Sequence, residues 1–194
     1  MNTYEDIRGN FDTGDILLYS GNGPISTTIK AFTRSFWSHV GMVVRTDSDI
    51  LLVYQSTTLT KVQDYIDGVG KRGVQVNLLS ESVSGYNGKV AVRHLLGERT
   101  KSMFDNLASF RAEMKNKPYE ESERELIRSA YDGPGGHNTE DLSSLFCSEL
   151  VAEAYQRMGL LSESKSSNEY VPADFNSELD LTIGYSLSDS VLIN

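Results

Sequence analysis

The sequence predicts an α+β fold in which an antiparallel sheet from the first half of the chain packs against helices from the second. Three observations predict it. Residues 14 to 96 carry five short β-rich runs separated by turn-forming clusters, the chain from Arg99 onward turns to helix-favouring residues, and no segment repeats. Strands first and helices afterwards, without βαβ alternation, is the α+β order.

The first run, GDILLYS (14–20), follows a Gly-Asp turn, and GNG breaks it before a helix from Ile25 to about Arg34. SHVGMVVR (38–45) and DILLVYQS (49–56) flank TDSD, a short polar connection that suits a hairpin. GVQVNLL (73–79) and KVAVRHLL (89–96) complete the sheet, with SESVSGYNG read as a turn-rich link between them. Beyond Arg99 the helix-favouring stretch reaches about Tyr131 and is interrupted at NKPYE, where Pro118 ends one helix before a second begins. DGPGGHNTEDLSS (132–144) is a glycine-rich polar loop leading into SSLFCSELVAEAYQRMG (143–159), a further helix, and SESKSSNEYVP is an exposed connector. At 194 residues, 1–194 is expected to be one domain.

Composition removes several function classes. There are 18 Lys and Arg against 27 Asp and Glu, a formal charge of -9, with no basic run, which disfavours a nucleic-acid partner. One cysteine forms no internal disulfide. With His39, His94 and His137 as the only histidines it builds no four-ligand zinc site, so neither a metal nor a cofactor is expected. The start MNTYEDIRGNFDTGD is polar and acidic rather than signal-like, and no apolar run nears the roughly 20 residues that span a bilayer. The expectation is a cytoplasmic protein without an integral membrane segment. Oligomeric state is not legible.

The chemistry centres on Cys147. A lone cysteine is most often a small buried apolar group. Here, however, Ser143 and Ser144 are good N-cap residues, which puts Cys147 in the first turn of a helix whose apolar stripe is Cys147, Leu150, Val151, Ala154 and Met158. In that position the helix dipole and free backbone N–H groups favour thiolate and offer donors to an oxyanion. Among possible bases, His39 opens a strand on which Gly41 leaves space beside it. His94 shares a face with Val90 and Val92, as a hydrogen-bonded residue at a core edge would, and His137, in the glycine-rich loop, ranks second. Gln55, on the hairpin partner of the His39 strand, can orient an imidazole through its amide oxygen, although a strand-end glutamine is equally an ordinary polar residue.

GDILL, FTRSFWSHVGMVV and LFCSELVAEAYQRMGLL, with NKPYE and NEYVPADF, resemble the permuted papain-fold cysteine amidases of the NlpC superfamily, in the YiiX/YebB-like branch and more distantly lecithin:retinol acyltransferase. The resemblance runs from about residue 13 to 175, leaving 176–194 as a C-terminal extension. It implies a permuted papain-like fold: an antiparallel sheet or half-barrel packed against a helical part that carries the nucleophile at a helix N-terminus. It further implies Cys147 as nucleophile, His39 as base and, where the family commonly has glutamate, Gln55 as third residue. Gly14-Asp15 matches a structural turn. The function so implied is a cysteine-dependent hydrolase, amidase- or peptidase-like, acting on a small-molecule, peptide or lipid acyl group through an acyl-thioester. The alternatives are a lipid or N-acyl acyltransferase or thioesterase on the same site, and a non-catalytic binding module on the same fold. Ile25, Ile29, Phe32 and Phe36, flanked by Lys30 and Arg34, form a helical stripe that ordinarily packs on a core and alternatively faces lipid.

Overall fold

The computed structural model of the chain describes residues 3–57, 59–115 and 143–193, with the backbone alone at Ile25, Thr28, Phe32 and 143–146. The fold is α+β. Its central sheet is antiparallel, with six strands in the spatial order 73–78, 51–57, 39–45, 16–21, 88–93 and 191–192. The strands are β1 (Ile16–Gly21), β2 (His39–Arg45), β3 (Leu51–Thr57), β4 (Gly73–Leu78), β5 (Gly88–Arg93) and β8 (Val191–Leu192). A second, two-stranded sheet pairs β6 (Leu95–Leu96) with β7 (Ser186–Leu187). The helices are α1 (Tyr4–Ile7), α2 (Pro24–Thr33), α3 (Leu79–Ser84), α4 (Lys101–Lys115) and α5 (Ser143–Arg157).

β1 and β3 are buried along their whole length because both faces of the sheet are covered. One face carries Leu18, Val40, Met42 and Tyr54 against Leu107 and Phe110 of α4 and Leu150, Val151 and Tyr155 of α5. The other carries Leu17, Tyr19, Val43 and Val53 against Leu79 and Val83 of α3 and the N-terminal Ile7 and Phe11. Each fully buried Leu, Val or Phe contributes about 1.5–3 kcal/mol, which is what holds a helix on each side. The expected stripe Cys147, Leu150, Val151, Ala154 and Met158 is buried, but so are Ser148, Ala152 and Tyr155 off it, so α5 is covered on more than one side, and Gly159 at φ 74 stops the helix with the left-handed conformation glycine adopts without penalty.

Four elements differ from the sequence reading. The link SESVSGYNG begins as α3, because Leu79 and Val83 stand one helical turn apart and bury on the same face of the sheet. The N-terminus forms α1, with Thr3 and Asp6 closing a capping box. The run 89–96 breaks at His94 into β5 and β6. The residues beyond 176 supply β7 and β8, tied down by Arg93, whose guanidinium donates to the carbonyls of Phe175, Ser177 and Ser188. The helix expected after Pro118 and the glycine-rich loop lie outside the described residues. Among the described residues no helix is long and apolar enough to cross a membrane.

Candidate active site

His39 is the first residue of β2, and the register sets it opposite Tyr19 of β1, whose ring centroid lies 5.3 Å from the imidazole. Two residues on, Gly41 admits β3 closely: a Cβ there would stand 2.7 Å from Val53 Cγ2 and 3.4 Å from Gln55 Cβ. This approach brings Gln55 Oε1 to 2.7 Å from His39 Nε2. Both side chains line a cavity of about 330 Å³ together with Ser38, Asn77, Tyr86 and Lys61, and among the described residues no aspartate or glutamate lines it.

Behind Gln55 the amides continue. Gln55 Nε2 donates to Asn77 Oδ1 at 2.8 Å, and Asn77 Nδ2 donates to Gln75 Oε1 at 2.8 Å and to the Gln63 carbonyl at 3.0 Å. Gln75 Nε2 donates to the Lys71 carbonyl at 2.8 Å. The β3–β4 register explains the grouping, since Gln55 pairs with Gln75 and Val53 with Asn77. Sequence reasoning missed Gln75 and Asn77. The signal was present, as two amides at alternate positions of the apolar strand GVQVNL facing the only amide of LLVYQST.

Cys147 is the fifth residue of α5, one turn later than the sequence suggested, and the side chains of Ser143 and Ser144 lie outside the described ones. The β2–β3 ladder runs from Met42↔Tyr54 to Arg45↔Leu51 and leaves Val40 outside it. The Val40 N–H turns to the Cys147 sulfur instead. The thiol is therefore held against the residue next to His39. The expectation of a resting thiolate is nonetheless corrected. Cys147 is wholly buried, and burial pushes the thiol up to about 12, outweighing the nearby backbone N–H groups that favour the anion. Burial also pulls His39 down to about 4 against the opposing hydrogen bond that its Nε2–H donates to Gln55 Oε1. At neutral pH the pair is thiol and neutral imidazole. Cys147 is not among the residues lining the cavity.

Tyr86, also not anticipated from sequence, bridges this region. Its hydroxyl hydrogen-bonds Ser38 and Ser26, and burial, with the nearby Cys147 adding to it, pushes the phenol up to about 12.

The remaining candidates separate from the site. His94 Nδ1 lies 2.7 Å from Oδ2 of Asp15, a fully buried carboxylate that also accepts from Leu95 N–H and the Arg99 guanidinium, so this histidine and the Gly14-Asp15 turn serve structure. Gly14 adopts φ 92, and a Cβ there would stand 2.8 Å from Leu95 Cδ2. His137 lies outside the described residues. Of the α2 stripe, Ile29 lines the cavity while Phe36, beyond the helix, is 57% exposed beneath the Lys30 ammonium. Among the described residues no three His, Cys, Asp or Glu gather as metal ligands.

The model of the permuted papain-like amidase enzymes, the YaeF/YiiX or C92 family, matches residues 10–177. An uncharacterized protein of Acanthamoeba polyphaga mimivirus is 28% identical over 214 aligned positions, covering 96% of this chain and 84% of that protein. Among solved structures, the metalloprotein yiiX from Escherichia coli O157:H7 superposes with a TM-score of 0.48 at 21% identity. That match covers 76% of this chain and 66%, just under two thirds, of the other.

Proposed function

The chain belongs to the permuted papain-like amidase family, whose members are cysteine hydrolases, and from that premise we propose that it cleaves an amide or ester acyl group with Cys147 as nucleophile, His39 as base and Gln55 as orienting residue. One observation carries the reading. The only thiol of the chain rests on the Val40 N–H, adjoining a histidine whose Nε2 is held by a buried glutamine.

With its Nε2–H donated to Gln55 Oε1, His39 keeps Nδ1 for proton transfer. Because the resting pair is neutral, the proton leaves sulfur as the bond to the carbonyl carbon forms, rather than beforehand. Sγ adds to the carbonyl, the proton passes to His39 Nδ1, and the carbonyl oxygen takes the negative charge. Collapse breaks the bond to the amine or alcohol, which leaves with the proton from His39, and an acyl-thioester remains. Water then attacks that carbonyl, gives its proton to His39, and expels the sulfur as thiol with the free acid as product. Acyl transfer to an amine or alcohol in place of water follows the same steps. The sulfur is wholly buried, so a local opening beside His39 precedes attack.

Turnover of a panel of acyl amides, esters and thioesters tests the reading. It is expected to vanish in Cys147→Ala and to fall at least about a hundredfold in His39→Ala. Turnover unchanged in either variant would refute it. The burial of Cys147 favours a second reading, a binding module on the same fold, and predicts binding of acyl compounds with no turnover of any.

A further inference from the structure

We infer that Asn77 and Gln75 are positioning residues that decide which end of Gln55 faces His39, and through it which imidazole nitrogen carries the proton. A carboxylate at position 55 would present an oxygen whichever way it turned. A carboxamide has an acceptor at one end and a donor at the other, and the two orientations are nearly alike in shape. The orientation must be imposed from outside the residue.

The chain of amides imposes it from a fixed end. The Lys71 carbonyl only accepts, so the nitrogen of Gln75 faces it at 2.8 Å and the oxygen of Gln75 faces Asn77. The Gln63 carbonyl likewise only accepts, and the nitrogen of Asn77 serves both it, at 3.0 Å, and Gln75 Oε1, at 2.8 Å. The oxygen of Asn77 is thereby turned to Gln55 and takes its Nε2–H at 2.8 Å. Gln55 is left with its oxygen 2.7 Å from His39 Nε2, which must then be the protonated nitrogen. Reversing any one amide sets oxygen against oxygen or N–H against N–H among side chains that are 6% (Gln55), 2% (Gln75) and 0% (Asn77) exposed, where such a mismatch is costly. Two backbone carbonyls thus dictate the tautomer of His39 through three carboxamides. The consequence for catalysis, a free Nδ1, rests on the reading of His39 as base. The placement of the proton does not.

Long-range proton–nitrogen NMR on the full chain with ¹⁵N-labelled histidine, at pH 7, reads the tautomer directly, with His39→Gln assigning the signals. The wild-type ring is expected to carry its proton on Nε2 alone. Asn77→Leu, which removes the acceptor for Gln55 Nε2, should lose that exclusive state and move signal toward Nδ1–H. Asn77→Asp keeps an oxygen facing Gln55, its other oxygen held protonated between the Gln75 and Gln63 oxygens, and should keep the wild-type pattern. Gln55→Glu placed in the Asn77→Leu background should restore the Nε2–H form, since either carboxylate oxygen accepts it. A wild-type ring protonated on Nδ1, or an Asn77→Leu protein of unchanged melting temperature with the wild-type pattern, overturns the inference. Should Asn77→Leu not fold, loss of the Nε2 proton in wild type or in Asn77→Asp overturns it equally. A protein with the expected nitrogen signals and no acyl transfer would keep this inference and lose the hydrolase reading.

Discussion

A papain-like cysteine is commonly pictured as a resting thiolate, and the burial of Cys147 leads to the opposite expectation for alkylation of this protein. The thiol stands at about 12 against an ordinary 9.0. At pH 7 that leaves a thiolate fraction of about 10⁻⁵ where a free thiol has about 10⁻², a deficit of about a thousandfold. A more basic thiolate is also a better nucleophile, with a Brønsted slope of about 0.4–0.5, which returns roughly 15- to 30-fold over three pKa units. The balance is a rate roughly 30 to 60 times below that of a free thiol, before counting the fraction of time the sulfur is reachable. Iodoacetamide labelling of native protein, followed by intact mass, should therefore be slow at pH 7, rise about tenfold per pH unit up to pH 9 without a plateau, and become ordinary on denaturation. His39→Gln should leave the rate of this reaction nearly unchanged, because the neutral imidazole contributes no cation. Rapid labelling that levels off below pH 8 and slows in His39→Gln would refute the reasoning, since it would show a preformed thiolate–imidazolium pair.

Burial also lowers His39, from 6.5 to about 4. The native state thus resists protonation of this ring, and the stability it retains above pH 6.5 is lost as the pH falls toward 4. A shift of 2.5 units corresponds to at most about 3 kcal/mol, and urea denaturation at pH 7 and pH 4 should show that much less acid loss in His39→Gln than in wild type. Gln55→Ala should lower kcat by about a hundredfold with the fold intact. Gln55→Glu should retain activity and move the acid limb of the pH–rate profile upward, because a carboxylate beside the imidazolium raises its pKa. Identical profiles for wild type and both variants would remove Gln55 from the site. Asp15→Ala takes away a buried carboxylate that serves Asp12, His94, Leu95 and Arg99, and should cost about 3–5 kcal/mol in chemical denaturation while leaving the His39 nitrogen signals in place.

What the sequence made legible follows from how local each signal is. The five sheet-forming runs between residues 14 and 96 and the buried stripe of α5 are written in hydrophobic spacing, and the structure has them at nearly the expected positions. The His39–Gln55 contact was legible because hairpin strands pair in register. Gly41, noted as open space, is what allows β3 to come close. The amide chain was not legible, since Gln75 and Asn77 gain meaning only once β4 is known to lie beside β3. Nor was the protonation state of Cys147. A helix start argues for thiolate, and only packed coordinates show that desolvation outweighs it. β7 and β8 escaped notice because strands of two residues carry almost no periodicity and are held by Arg93 reaching across more than 80 positions.

The central claim is that Cys147 forms an acyl-thioester with help from His39. Incubation with an activated acyl ester, rapid quenching in acid and peptide mapping by mass spectrometry tests it most directly. The account predicts an acyl group on the peptide containing Cys147, removable by neutral hydroxylamine as a thioester is, formed much more slowly in His39→Ala and absent in Cys147→Ala. Ester cleavage that persists in Cys147→Ala, or an acyl group found only on other side chains, would contradict it.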